Sequence, residues 1–172
     1  MGTVPAWAHP ERSLANGTRH LFRNDPAYIM ADASASPNLH RLIYTSTAQP
    51  GLGLSELRAI LETSQANNRR DAVTGALVYE EGLFLQLLEG DRAVLSRTYQ
   101  RILNDPRHYD LCLIEMVPCA ERQFADWAMR HLTFHRSTWQ RAVGRAPFDP
   151  YAWSASQCYA LLLRFSAMQD AA

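Results

Sequence analysis

The stretch VTGALVYEEGLFLQLLEG, residues 73–90, sets the reading of the whole chain. Two apolar runs flank a short turn, Glu80-Glu81-Gly82. Each run is rich in Val, Leu, Tyr and Phe, which suit a pleated surface. The pattern predicts a β-hairpin. The second run, Leu83-Phe84-Leu85-Gln86-Leu87-Leu88, is apolar on both alternating faces, as expected of a central strand covered on both sides. Gln86 lies in its middle. A buried primary amide left without a hydrogen bond costs about 1–3 kcal/mol, so Gln86 must find partners inside the protein.

On the N-terminal side of the hairpin, HRLIYTSTA (40–48) reads as a strand, with Leu42, Tyr44 and Ser46 on one face. Pro50-Gly51 turns the chain. SELRAILETSQANN (55–68) reads as a helix, with Ser55 as its N-cap, Leu57, Ile60, Leu61 and Ser64 as its inward stripe, and Asn67-Asn68 at its close. Beyond the hairpin, Asp91 caps a second helix over about 92–104, whose stripe is Val94/Leu95, Thr98 and Ile102. Asp105-Pro106-Arg107-His108 ends it. LCLIEMV (111–117) is a fourth strand stopped by Pro118, and DWAMRHLTF (126–134) a fifth. The order strand–helix–strand–strand–helix–strand–strand gives an α+β fold class. It is a ferredoxin-like βαββαββ sheet, extended by the fifth strand, with two helices on one face. A short helical piece at 137–144 and a last helix at 154–168, carrying Cys158, Leu161, Leu162 and Phe165, are expected to cover the other face or to make a dimer contact. The chain divides into an N-terminal extension (1–38), a central domain (39–134) and a C-terminal helical cap (135–172).

The 172 residues are 47% hydrophobic and 10% aromatic, enough for a real core. Lys plus Arg and Asp plus Glu both number 17, a balance that suggests neither a nucleic-acid nor a membrane-surface partner. Cys112, Cys119 and Cys158 are dispersed, without a CxxC pair, and read as reduced core thiols. No apolar run reaches the ~18 residues of a membrane span. Pro5, His9, Pro10, Glu11 and Arg12 interrupt the N-terminus, so no leader is expected. A cytoplasmic location follows as an expectation.

A Tyr hydroxyl and a Gln amide in neighbouring strands are natural hydrogen-bond partners. They do not make a hydrolytic site. The sequence has no Ser/His/Asp triad spacing, no metal-ligand cluster and no phosphate-cradling glycine loop. His131 and His135 are four apart, but in an expected strand and its exit rather than on a helix face. Taken singly, Tyr44 is a core tyrosine and Asn68 a helix C-cap. Arg107 and His108 are cations near a helix C-terminus. Trp127 and Met129 are two residues on one strand face.

Taken together, these pieces carry a resemblance. RLIYTSTA (41–48), the S-x-x-NN run (64–68), VTGALVY (73–79), FLQLLEG (84–90), LNDPRH (103–108) and R-x-F-x-x-W-x-M (122–129) occur in order and at separations similar to those of the BLUF family, the sensors of blue light using FAD. The resemblance covers about residues 39–134 and leaves the flanks uncovered. It implies that Tyr44 is the photoactive tyrosine and Gln86 the glutamine between it and the flavin. It likewise implies that Asn68 bonds the polar edge of the ring, and that Ser64, Asn67, Asp105, Arg107 and His108 line the ring, the ribityl chain or the pocket mouth. Trp127 and Met129 match the pair tied to signal output. The implied cofactor is FAD, with FMN or riboflavin able to enter the same ring pocket.

The expected function is a non-enzymatic blue-light photoreceptor. It rearranges a Tyr–Gln–flavin hydrogen-bond network, red-shifts the flavin, and signals through strand five to a downstream protein. The alternatives on the same fold are a light-insensitive interaction module and an acylphosphatase-like hydrolase. The latter lacks an anion-binding loop after strand one. A homo-oligomer is expected through the apolar residues of the last helix, Leu161, Leu162 and Phe165.

Overall fold

The computed structural model describes residues 38–133, 139, 143 and 146–171. The described elements run β1 (Leu39–Ala48), α1 (Leu54–Arg70), β2 (Thr74–Glu80), β3 (Leu83–Asp91), α2 (Arg92–Leu103), β4 (His108–Pro118), β5 (Arg130–Leu132) and α3 (Ala155–Asp170). The strands form one sheet in the order β4-β1-β3-β2-β5. Its β1–β3, β1–β4 and β2–β3 pairs are antiparallel and its β2–β5 pair is parallel.

The hairpin is present as expected. Glu81 and Gly82 have φ of 49° and 81°, and two successive positive values are what a two-residue primed turn requires. Pairing of β1 with β3 sets Tyr44 opposite Gln86, and pairing of β2 with β3 sets Leu77 opposite Gln86. The twofold period of the strands then sorts the apolar residues into two layers. Leu42, Tyr44, Leu77, Phe84 and Leu88 face a cluster that includes Leu57 of α1 and Leu95 of α2. Ile43, Ala76, Val78, Leu85 and Leu87 pack with Cys158, Leu161, Leu162 and Phe165 of α3. This second layer explains why the Gln86 strand is apolar on both faces. The expected cap on the far side of the sheet is therefore present.

Several expectations need correction. Leu161, Leu162 and Phe165 are buried against the chain's own sheet, so they leave no apolar surface to draw a second copy. Helix α1 starts at Leu54 with Gly53 as its N-cap, not Ser55, because the Glu56 carboxylate reaches back to the Gly53 N–H at 3.1 Å. It also runs past Asn67-Asn68 to Arg70, so Asn68 is a buried helical residue rather than a cap. The fifth strand is only Arg130–Leu132, not 126–134. The run before it makes no continuous ladder: Trp127 N–H bonds the Phe124 carbonyl at 3.0 Å, a single backbone bond comes from Gly75 of β2, and the remaining holds are from side chains. Trp127 and Met129 thus do not share a strand face. The piece expected at 137–144 lies outside the described residues apart from Trp139 and Val143, which are both helical. The extension 1–37 and His135 also lie outside them.

Candidate functional site

Tyr44 and Gln86 meet as the register requires. The Tyr44 hydroxyl donates to Gln86 Oε1, and both side chains are 4% exposed. Burial, then the neighbouring Tyr99 and Asp105, push the Tyr44 hydroxyl well above its ordinary acidity range, so it stays protonated and donates. With Oε1 occupied, Nε2 of Gln86 points at Met129 Sδ, 3.2 Å away. Met129 is 2% exposed. Thioether sulfur is a weak acceptor, so the amide has one strong partner and one weak one.

A slot opens beside this chain, between α1 and α2. It comprises two cavities of about 50 and 100 Å³ that share Ser64, Gln86, Ile102, Asp105 and Arg107. Tyr44 and His108 line the first; Asn67 and Asn68 line the second. The eight residues singled out in sequence as pocket residues are thus brought together around one slot. Asn68 is 3% exposed; its Nδ2 donates to the Ala128 carbonyl at 2.7 Å, and its Oδ1 takes no hydrogen bond from a described residue. Asn67 Oδ1 accepts from Arg70 at 3.1 Å. Arg107 grips Asp105 through Nε at 2.9 Å and Nη2 at 2.5 Å, and this hydrogen bonding holds the Asp105 carboxyl below the usual carboxylate range. His108 bonds Ser46 Oγ at 2.8 Å and the Ile102 carbonyl at 3.1 Å; burial lowers its basicity and keeps the ring neutral near pH 7.

The segment before β5 is tied to two slot residues, Asn68 and Gln86, through the Ala128 carbonyl and Met129 Sδ. Its three successive carbonyls are each held from outside the segment. Trp127 O accepts from Gly75 N–H at 3.0 Å, Ala128 O from Asn68, and Met129 O from Gln65 Nε2 at 3.2 Å. Trp127 itself is 44% exposed and lies beneath the Arg130 guanidinium, 4.6 Å from ring centroid to Cζ. The pair expected to carry output is therefore split: Met129 faces Gln86, and Trp127 faces outward.

Sequence reasoning missed four residues that shape this region. Gln65 holds the Met129 carbonyl. Tyr99 sits 5.6 Å from the Tyr44 ring. Glu89, 1% exposed, accepts from the Gln123 and Phe124 N–H groups at 2.9 and 3.0 Å and pins the approach to the segment. Arg130, 7% exposed, joins the segment to α3. Only Glu89 carried a signal, as a carboxylate inside an apolar strand. His131 is in β5, and burial lowers its basicity. Among the described residues no cluster of three metal-ligating side chains occurs.

Comparison with known proteins fixes the family. The family described as BLUF, sensors of blue-light using FAD, matches residues 39–130. The chain belongs to the BLUF family. It is 35% identical over 131 residues to the photoactivated adenylate cyclase subunit beta of Euglena longa, a match spanning 76% of this chain and 15% of that protein. The corresponding subunit of Euglena gracilis is 34% identical over the same length, with the same two coverages. The chain thus spans about 15% of the length of these curated relatives. Among solved structures it resembles BlsA in its photo-activated state, with a TM-score of 0.66 and 27% identity over 73% of this chain and 92% of that one. It also resembles BlrB, a BLUF protein in the dark state, with a TM-score of 0.65 and 26% identity over 77% and 97% of the two chains. A BLUF domain is a sensor module, not a catalyst, and its chromophore is a flavin. The slot suits that group. Ile60, Leu77, Phe84 and Ile102 offer apolar surface to a flat ring, and Asn68 Oδ1, Gln86 and Arg107 offer hydrogen bonds to a polar edge. Among the described residues no helix is long and apolar enough to cross a membrane.

Proposed function

We propose that this BLUF domain converts blue light into a change in the Gln86 amide, and passes that change to another protein through Met129 and β5. One observation carries the reading: the buried relay from the Tyr44 hydroxyl to Gln86 Oε1, and from Gln86 Nε2 to Met129 Sδ, at the wall of the slot. Flavin, once bound, supplies the absorption of blue light and a one-electron oxidant. Asn68 and Gln86 would hold the polar edge of the ring. Ser64 and Asn67 would line it, and Asp105, Arg107 and His108 would shape the mouth.

Tyr44 is the donor in this scheme. Its hydroxyl already donates to Gln86 Oε1, so its proton has an acceptor in place when its electron leaves. When electron and proton return, the amide can settle with its two ends exchanged or in a different tautomer. An exchanged amide would donate from Nε2 to the Tyr44 oxygen and turn its oxygen toward Met129 Sδ. Two acceptors facing each other are a poor pair, so Met129 shifts. A hydrogen bond remade in a low-dielectric pocket changes the energy by a few kcal/mol, enough to bias a two-state segment.

We place the flavin domain at 39–134, with 135–172 closing the far face of the sheet and 1–38 as an extension. The relatives named above are photoactivated adenylate cyclase subunits of much greater length, which supports a separate protein, a second copy or a further domain as the receiver. The thiols of Cys112, Cys119 and Cys158 are free, which supports a reducing, cytoplasmic location.

The test is an absorption spectrum of the flavin-loaded protein in the dark and after a blue flash. The parent should show a small red shift that reverses in the dark. Tyr44→Phe and Gln86→Ala should each bind flavin and lose the shift; a normal shift in either variant refutes the relay.

A further inference from the structure

Arg130 is the residue next to Met129, and its side chain works on the opposite side of the sheet from the slot. We infer that Arg130 and Asp170 form a latch that holds the last turn of α3 to the output segment in the dark and lets it go in the light. The inference rests on the proposed Tyr44–Gln86–Met129 relay and adds where that relay leads.

The latch is made of several contacts on one guanidinium. Arg130 Nη1 donates to Ser166 Oγ at 2.8 Å and to Asp170 Oδ2 at 3.0 Å, and Nη2 donates to Asp170 Oδ1 at 2.5 Å. The flat face of the same group lies over Trp127. Gln169 adds a bond from Nε2 to Thr133 Oγ1 at 3.2 Å. A guanidinium that is 7% exposed needs a counter-charge, and this bidentate pair provides it. Asp170 has no helical reason to stand where it does. It is the last residue of α3, at the negative end of the helix dipole, in a last turn without a basic residue. Arg130 accounts for it.

Coupling follows from chain geometry. In an extended backbone neighbouring side chains point to opposite faces, so Met129 reads the Gln86 amide while Arg130 reaches α3. The carbonyl of Met129 and the two before it are held by Gln65, Asn68 and Gly75, so the backbone of this segment moves as a unit. A shift that displaces the Met129 backbone also displaces that of Arg130, and a bidentate ion pair tolerates little displacement. Such coupling is reciprocal: if the lit state loosens the latch, the latch opposes the lit state.

The experiment uses the full flavin-loaded chain, as parent and as Asp170→Asn. The Asp170 side chain is 60% exposed, so the substitution leaves the core packing intact. Two quantities are read: hydrogen exchange of the amides of residues 166–170 in the dark and under steady blue light, and the size of the red shift. In the parent, light should speed exchange at 166–170 by about tenfold. In Asp170→Asn, exchange should already be fast in the dark and respond to light by less than about twofold. The size of the red shift should stay unchanged, because Asp170 does not line the slot. A red shift in the parent with unaltered exchange at 166–170 overturns the latch and leaves the relay standing. Dark exchange at 166–170 in Asp170→Asn as slow as in the parent does the same. A parent without any red shift overturns relay and latch together.

Discussion

Gln86 is held by partners of unequal strength, and that imbalance lets one amide act as a switch. The strong bond from Tyr44 fixes which end of the amide faces β1, and the weak contact to Met129 costs little to give up. Met129→Ala should therefore keep the red shift, because the Tyr44 side of the amide is untouched. It should also abolish most of the light-dependent change in hydrogen exchange over 127–132. A full exchange response in that variant would rule out Met129 as the reader. At the slot mouth, His108 gives a pH signature. Burial lowers its folded-state basicity below that of the unfolded chain, near pH 6.5, so the unfolded state takes up the proton first. Stability is then complete above about pH 6.5 and falls as pH drops toward the folded value. Half-buried His131, its basicity lowered by desolvation, contributes with the same sign. His108→Gln should flatten part of the loss between about pH 7.5 and about pH 5.5, measured by urea unfolding at the two values. Asp105, whose carboxyl is held low by Arg107, loses its contribution only at much more acidic pH.

At the scale of elements, the link from α1 to β2 contains a residue under backbone strain. Ala72 has φ of 52°, a left-handed conformation that disfavours any residue with a Cβ. Ala72→Gly should stabilise the fold by about 0.5–1 kcal/mol, read as a higher urea midpoint at unchanged slope. Three residues on, Gly75 shows the reverse. A Cβ there would run into the Leu87 carbonyl of the neighbouring strand. Gly75→Ala should cost about 2 kcal/mol or more and also weaken the hold on the Trp127 carbonyl, which Gly75 N–H carries. Much of this architecture was legible in the sequence because its signals are local. The two apolar runs of 73–90 and the Asp91 cap, which accepts from Ala93 and Val94, appear where the sequence puts them, and the turn read at Glu80-Glu81-Gly82 is narrowed to Glu81-Gly82 because Glu80 ends β2. The pocket residues were legible through the family pattern. The segment before β5 was not, since its conformation is set by partners far away in sequence: Gln65, Asn68, Gly75 and Glu89. Propensity alone extends a strand through Trp127 and Met129. The latch between Arg130 and Asp170 was invisible for the same reason, being 40 residues apart with no periodicity to mark it.

For the whole molecule, the sheet is a partition with different work on its two faces. The slot and its amides lie on the α1/α2 face. The other face is closed by α3 through an apolar layer in which Leu162 is fully buried and Phe165 nearly so. Arg41 joins the two parts of that layer, with its guanidinium 3.8 Å over the Tyr159 ring and an ion pair to Glu115 at 2.8 Å. If the faces are separate in energy, damage to one should leave the chemistry of the other intact. Leu162→Ala removes a buried side chain from the α3 layer and should destabilise by about 2–5 kcal/mol, depending on how far the sheet collapses into the gap. Leu54→Ala, at a position 85% exposed, should change stability by less than about 0.5 kcal/mol. At a temperature where Leu162→Ala is still folded, its flavin affinity and red shift should match the parent, because no residue of α3 lines the slot. Exchange at the end of α3 should rise even in the dark, because the helix then rests on the Arg130 latch with less packing beneath it. A red shift altered by Leu162→Ala would mean that the faces are coupled through the sheet itself, and not through the segment from Met129 to Arg130.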